Sequence, residues 1–266
     1  MIVLVAASVG FAAHRADLPG NTLRTDMSTS GTILKESLPL FQVSPAWASA
    51  YPEACVGVLA MRDVANPPHH TELEKQKAAL EEELRTRWAG QDRHALEQLP
   101  VLRAYNAYYR RFKKSYHVQL QLESIAFKGK ALPSVAALVE AMFMAEVKNL
   151  LLTAGHDLDK IQGTLTLDVA KGDETYFLLR GQPQTLKAGD MYIADGAGIV
   201  SSIIYGPDQR TAIGPDTRRA VFTVYAPPGI AASAVRQHLD DIRQNAQTVA
   251  PAAQVELLRT FGAGLA

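Results

Sequence analysis

The segment from Gly155 to Pro227 constrains the fold more than any other part of the chain. Within it lie five short runs, TLTLDVA (164–170), TYFLL (175–179), MYIAD (191–195), IVSSII (199–204) and AVFTVYA (220–226). Gly, Pro and Asp turns separate them, and runs of that length and punctuation predict strands. The stretch just before them, GHDLDKIQG (155–163), reads as a polar turn, and the Pro227–Pro228 pair closes the strand-rich half. The first half differs. It carries one buried strand, CVGVLAM (55–61), opening after Pro52 and ended by Arg62 and Asp63, and three helical patterns over 71–88, 101–113 and 134–153. A last helix, 231–247, puts Val235, Leu239 and Ile242 on one face and runs into an Ala/Gly-rich tail. The pattern predicts an α/β (α+β) fold, a mixed-sheet layered domain with helices covering a β-rich core and the C-terminal helix appended.

The helices carry the detail. Thr71 and Glu74 read as a capping box after the NPPHH turn (66–70). Leu73, Leu80, Leu84 and Trp88 make one apolar stripe, with Glu81–Arg85 and Glu83–Arg87 as i,i+4 pairs on the wet side. The second helix and its end are the densest basic and aromatic stretch of the chain: Arg103, Tyr105, Tyr108, Tyr109, Arg110, Arg111, Phe112, Lys113, Lys114 and Tyr116. Such a stretch suits phosphates and stacked bases, or equally an amphipathic helix with its aromatics in the core and a solvated basic face. In the third helix Ser134 reads as the N-cap and Gly155 as the stop. Glu140 falls on the same face as Met144, Val147 and Leu151. A carboxylate in an apolar stripe is costly unless it is paired or works in a cleft.

Composition excludes several classes. The chain has 266 residues, 47% hydrophobic and 20% charged, so it buries a sizeable core and is not a disordered chain. Its 27 Lys+Arg balance 27 Asp+Glu, which argues against a wide basic footprint along DNA but leaves a local basic patch open. The single cysteine, Cys55, excludes a disulfide framework and a cysteine-rich zinc site and fits a reducing, cytoplasmic setting. The apolar run IVLVAASVGFAA (2–13) is too short to span a membrane and has no Lys or Arg before it. It reads first as an upstream extension with the natural start near Met27, and otherwise as a first strand or a signal. The expected division is therefore an N-terminal extension over 1–34, one domain over 35–230, and a C-terminal helix and tail over 231–266.

Standard motif tests fail. The sequence has no phosphate-binding Gly-rich loop, no G-x-G-x-x-G after a strand and no G-x-S-x-G elbow. His69 and His70 are adjacent, without partners at metal-ligand spacing, so neither a metal nor a cofactor is expected. Cys55 inside a strand reads as a small core residue.

Four stretches taken in order carry a resemblance: ALVEAMFMAEVKN (137–149), TAGHDLDKIQG (153–163), KAGDMYIADGAGIV (187–200) and DQRTAIGPDT (208–217). With them the chain resembles free-standing members of the B3/B4 family, named for the editing module in the beta subunit of bacterial phenylalanyl-tRNA synthetase. The resemblance implies a B3/B4-type domain that binds the aminoacylated end of a tRNA and hydrolyses a mischarged ester in trans, including esters of non-protein amino acids such as canavanine. The chain lacks a synthetase catalytic domain. Departures include Ser201, Ser202, Ile203 and Ile204 where the family commonly carries an Arg-Arg-Trp-like run, Phe143 for an Asn, and Asp168 for a strand Arg, which implies a remodelled pocket.

Hydrolysis of an activated ester needs a positioned water and a stabilised oxyanion, without a covalent nucleophile or metal. On that basis Glu140, His156 and Asp195 are the catalytic candidates. Glu140 and Asp195 would hold the α-amino group or orient water, and His156, with Asp157 beside it, would act as general base or ribose contact. Asp157, Asp168, Tyr205, Arg210 and Thr211 are the substrate-binding candidates: Arg210 and Thr211 for the terminal phosphates or the carbonyl oxygen, Tyr205 for stacking on the terminal adenine. Arg103, Tyr109, Arg110, Arg111, Lys113 and Lys114 are the tRNA-binding candidates. Plainer roles stand beside these: a solvated turn histidine, Asx-type capping for Asp157 and Asp159, a surface Arg210, and an Asp195 that closes a hairpin. A non-catalytic tRNA-binding or synthetase-associated module and a small-molecule binder on the same scaffold are the alternative functions. No DNA and no membrane partner is expected.

Overall fold

A computed structural model describes residues 39–262. The N-terminal extension and the candidate start at Met27 lie outside the described residues. Eleven strands and seven α-helices follow in the order β1 (Phe41–Val43), α1 (Pro45–Ala50), β2 (Cys55–Arg62), α2 (Thr71–Arg87), α3 (Arg93–Glu97), α4 (Pro100–Arg110), α5 (His117–Ala126), α6 (Ala137–Asn149), β3 (Thr153–Asp157), β4 (Leu165–Val169), β5 (Thr175–Phe177), β6 (Pro183–Thr185), β7 (Met191–Asp195), β8 (Gly198–Ser202), β9 (Gly206–Pro207), β10 (Arg219–Ala226), α7 (Ala232–Val249) and β11 (Gln254–Gly262), with a 3-10 turn at Leu158–Lys160. The class is α+β, as the alternation of patterns predicts.

One antiparallel sheet runs β11-β2-β10-β3, a second runs β1-β4-β7-β8-β9, and β5–β6 form a separate hairpin. In the first sheet β2 and β10 are central, and every residue of β2 before Arg62 is buried. Such a strand is covered on both faces, which is why its sequence is a continuous apolar run rather than an alternating one. Helix α7 covers one face at Gly57, where an added Cβ would stand 2.5 Å from Val235 Cγ1 and 3.0 Å from Leu239 Cδ1. The missing side chain lets helix and strand approach. The second sheet contributes Leu165, Leu167, Met191, Ile193 and Val200 to the same core.

Helix α4 ties the two sheets together through its tyrosines. Tyr105 Oη donates to Tyr225 O and accepts from Leu152 N at 2.9 Å, both in or beside the first sheet. Tyr108 Oη accepts from Met191 N at 2.7 Å, and Tyr109 Oη donates to Ile203 O at 2.7 Å, both at the second sheet. Each ring buries apolar area while its hydroxyl meets a backbone group that would otherwise be unpaired.

Several sequence expectations are corrected. The helix expected over 134–153 is shorter. Ala136 stands at its N-cap without a side-chain hydrogen bond, while Ser134 Oγ accepts from Lys77 Nζ at 3.2 Å. The helix ends at Leu150 in the left-handed region (φ 59). The polar turn expected at 155–163 begins instead as strand β3, paired with β10 from Thr153 to Asp157. Its polar residues are tolerated inside because other side chains bond them. At α2 the cap is His70, whose Nδ1 accepts from Leu73 N at 3.3 Å, and Thr71 is already helical. Glu81 sits on the dry side rather than the wet one: it pairs with Arg85 at 3.1 Å and also accepts from the buried Leu132 N at 2.7 Å. The C-terminal helix packs its Val235, Leu239 and Ile242 face into the core, and the tail after it forms β11 along the edge of β2.

Candidate functional site

Strand β3 lies at an edge of the first sheet, and the chain after β9 closes that edge. The Asp157 N–H donates to Thr211 O at 2.8 Å, so Thr211 continues the ladder beyond β3. On the same stretch Asp208 turns its carboxylate back. Its Oδ1 accepts from Thr211 N at 3.1 Å and from the Thr211 hydroxyl. With that hydroxyl proton given to Asp208, Thr211 Oγ1 is left to accept from His156 Nδ1, 2.7 Å away. The network thereby fixes the tautomer: Nδ1 carries the proton and Nε2 carries a bare lone pair. Among the described residues Nε2 has no hydrogen-bond partner, although the ring is fully buried. Burial, helped by the nearby Arg210 charge and opposed by Asp195, pushes the His156 pKa down to about 4, so the ring is neutral at neutral pH. Burial likewise raises the Asp208 carboxyl, with the Thr211 hydrogen bonds opposing it.

Arg210, about a third exposed, and the buried Asp195 carboxylate form the lip beside this chain. Arg210 Nη2 donates to Asp195 Oδ1 at 2.8 Å and Nη1 to Oδ2 at 3.0 Å, a two-pronged pair, and Nη1 also reaches Lys160 O at 3.0 Å. Asp195 Oδ2 further accepts from Gln162 N, and Oδ1 from Ala197 N and Gly198 N, at 2.8 to 3.1 Å. Burial alone would raise this carboxyl, but the Arg210 fork and the backbone donors outweigh it and hold it below the ordinary value. Asp195 thus closes the β7–β8 hairpin as its Asp-Gly sequence suggests, while also orienting Arg210.

The remaining candidates fall elsewhere. Asp157 is next to His156 in sequence but points to the opposite face of β3, as strand neighbours do. There it accepts from Thr217 Oγ1 at 2.8 Å and from Asp159 N at 3.2 Å, the Asx-type capping role. The carboxylate behind His156 is Asp208, which sequence reasoning missed; the D-x-x-T spacing in DQRT was the available signal. Glu140 is buried at the start of α6. Its Oε2 pairs with Lys77 Nζ at 2.7 Å and its Oε1 accepts from Val135 N at 2.7 Å, and no hydrogen bond or ion pair among the described residues joins it to His156 or Asp195. Asp168 accepts from Ser44 Oγ at 2.5 Å, at the start of α1. It lies opposite Tyr192, three residues and about 10 Å along β7 from Asp195.

Tyr205 and the basic stretch adjoin the site through one segment. Arg103, Arg110, Arg111, Lys113 and Lys114 are exposed, whereas Tyr109 is buried and its ring is committed to the core. That corrects its expected role as a stacking surface. Lys187 Nζ donates to Phe112 O at 2.7 Å, Lys114 Nζ stands 5.1 Å from the centre of the half-buried Tyr205 ring, and Arg111 lies 5.4 Å from that of Tyr51. The chain from Ile203 to Thr211 therefore joins the end of α4 at one end and His156 at the other. Beneath it, buried Asp190 accepts from Tyr108 Oη at 2.7 Å, and burial pushes its carboxyl up to about 7. Among the described residues no His, Cys, Asp and Glu group is placed to hold a metal ion, and no helix is long and apolar enough to cross a membrane.

A family model described as the B3/4 domain matches residues 103–251, more than half of the chain. Among solved structures, the chain is similar to an N-terminal fragment of the phenylalanyl-tRNA synthetase beta-subunit from Pyrococcus horikoshii, at 11% identity and a TM-score of 0.40 over 84% of this chain. It spans about half of that fragment, 54%. No curated protein matches.

Proposed function

The chain belongs to the B3/4 domain family, and from that premise we propose that it binds the aminoacylated end of a tRNA and hydrolyses a mischarged aminoacyl ester in trans. The observation that carries this reading is the His156–Thr211–Asp208 chain ending on a bare, unpartnered Nε2. A buried nitrogen lone pair without a partner is costly and is satisfied when a proton donor reaches it. Water is that donor. Nε2 takes a proton as the water oxygen attacks the ester carbonyl, the C–O bond to the ribose breaks, and the ribose oxygen takes the proton back. The imidazolium formed in between is stabilised through Thr211 by the Asp208 carboxylate. Asp195 aims Arg210, whose guanidinium is about a third exposed and suits a phosphate or the developing oxyanion. Because the ring is shut from solvent, the 206–214 segment must move to admit substrate. The exposed cations Arg103, Arg110, Lys113 and Lys114, the last of them over the Tyr205 ring just before that segment, suit the phosphates of a single tRNA arm, which needs no net positive chain.

A second reading, a module that binds tRNA without chemistry, is favoured by the complete saturation of Asp195 and the closure around His156. Deacylation assays with a panel of correctly and incorrectly charged tRNAs separate the two. An ester cleaved faster than in buffer, with H156A abolishing cleavage but keeping salt-sensitive tRNA binding, supports the editing enzyme. Salt-sensitive binding with no ester cleaved supports the module, and absence of both leaves a small-molecule binder.

A further inference from the structure

Among the described residues two large apolar side chains are strongly exposed, and one of them, Phe177, is 62% exposed beside the site. It ends β5, where the side chains alternate. Tyr176 turns inward and donates from its hydroxyl to Gly206 O at 2.8 Å, while Phe177 turns outward. The backbone under the ring is fixed to the loop that carries Asp208, Arg210 and Thr211. Gln209 N donates to Phe177 O at 3.1 Å, Leu179 N donates to Pro207 O at 3.2 Å, and Leu178 bridges Asp208. Across the hairpin Phe177 faces Pro183, a residue that cannot swing over to cover it. Gln209, exposed and bonded through its N–H to the Phe177 carbonyl, holds its side-chain amide beside Gly181 at the turn of the same hairpin.

We propose that Phe177 is a stacking platform for an unpaired base of the tRNA acceptor end, with Gln209 meeting the base edge. The proposal rests on the tRNA reading above and adds to it where the single strand lies. An exposed planar ring costs hydration that a stacked base removes, and every base offers a π-face, so such platforms suit single-stranded ends irrespective of sequence. The backbone under the ring is tied through Gln209 to the residue between Asp208 and Arg210, so a base seated on it lies along the loop that carries both. Tyr109, the aromatic expected to stack, is inside the core, and Tyr205 already has Lys114 over its face. Among the described residues Phe177 is the aromatic left strongly exposed.

The test uses the full chain, an RNA hairpin with a four-nucleotide 3′ overhang, and the same hairpin cut blunt. F177A, at a solvent-facing position, should bind the overhang RNA about tenfold more weakly while binding the blunt hairpin as the wild type does. F177W should restore affinity, with its emission quenched by the overhang RNA alone. Wild-type affinity of F177A for the overhang RNA overturns the platform and leaves the tRNA reading intact; Phe177 is then a contact for protein. If the wild type binds neither RNA, the tRNA reading fails and takes the platform with it.

Discussion

Asp195 and Arg210 meet through two parallel hydrogen bonds of 2.8 and 3.0 Å, with the guanidinium held on the side of His156. The arrangement couples a partly exposed guanidinium, through a buried carboxylate, to a buried ring. Arg210 pushes the His156 pKa down and Asp195 pulls it up, with burial the larger cause in the downward direction. Removing Arg210 leaves Asp195 unopposed, so R210A should move the His156 titration above its value of about 4. A pH–rate profile for deacylation should then lose activity on its acid side at higher pH than the wild type. NMR titration of the ring should show the same displacement. An unchanged acid limb would mean that His156 does not set it.

Glu140 and Lys77 form a pair in which both side chains are almost fully buried, 4% and 6% exposed. Buried pairs cost desolvation, and breaking one by removing a single partner typically costs about 3–5 kcal/mol. Lys77 keeps Glu74 at 2.6 Å when Glu140 is lost, whereas Glu140 keeps only the Val135 N–H when Lys77 is lost. K77M should therefore destabilise more than E140Q, and K77M/E140L should recover much of the loss, all read from urea midpoints. Deacylation per folded molecule should survive E140Q. Loss of activity without loss of stability would instead restore Glu140 to the catalytic set.

The sequence makes β2, β4, β7, β8 and β10 legible because each is a short run bounded by turn residues, and α2, α4 and α7 legible because their apolar faces repeat at helical spacing. It hides β3, since Gly155, His156 and Asp157 look like a turn until Thr211 and Thr217, more than 50 residues away, supply their hydrogen bonds. It hides β11 because that strand is an edge without a clean apolar alternation, broken by a register shift between Val255 and Leu257, and its partner β2 lies far back in the chain. The site was legible in part: His156, Arg210, Thr211 and Asp195 are brought together, whereas Glu140 and Asp168 are not. Asp208 left only the D-x-x-T spacing as a signal, because its importance comes from a turn that folds it back on Thr211.

Buried titratable groups shape stability against pH in opposite senses. Asp190 and Glu146 are raised by burial to about 7 and about 8. Their contribution is complete below the unfolded value near 4 and is lost as pH rises through those numbers. His156 and His238 are lowered by burial to about 4 and about 3, so their contribution is complete above about 6.5 and is lost as pH falls. Between about pH 4.5 and 6.5 the two senses oppose each other, and above 6.5 the raised carboxyls alone act, so the wild type should decline from about 6.5 to 8. D190N removes one raised carboxyl, so its slope from 4.5 to 6.5 should be more positive than that of the wild type by about 1.4 kcal/mol per pH unit. Urea unfolding at fixed pH steps reads this directly, and a D190N slope equal to that of the wild type would show that Asp190 is ionised at all these values.

Gly57 and Val235 set the distance between β2 and α7. An alanine at 57 places its methyl group 2.5 Å from Val235 Cγ1 and 3.0 Å from Leu239 Cδ1, both closer than carbon atoms pack. Val235 and Leu239 are fully buried, so neither has room to withdraw. Overpacking of this kind typically costs about 1–3 kcal/mol through off-rotamer side chains and small backbone shifts. G57A should lower the urea midpoint by that amount, and V235A alone should also destabilise by opening a void. Combined, the added methyl group occupies space that the shortened side chain vacates. The double variant should be more stable than the sum of the two losses predicts, with a coupling of about 1 kcal/mol or more. Additive losses would mean that the helix moves away from the sheet as a unit rather than resisting at Val235. The contact lies in the first sheet's β2, not in β3 or the 206–214 segment, so deacylation per folded molecule should be unchanged in all three variants.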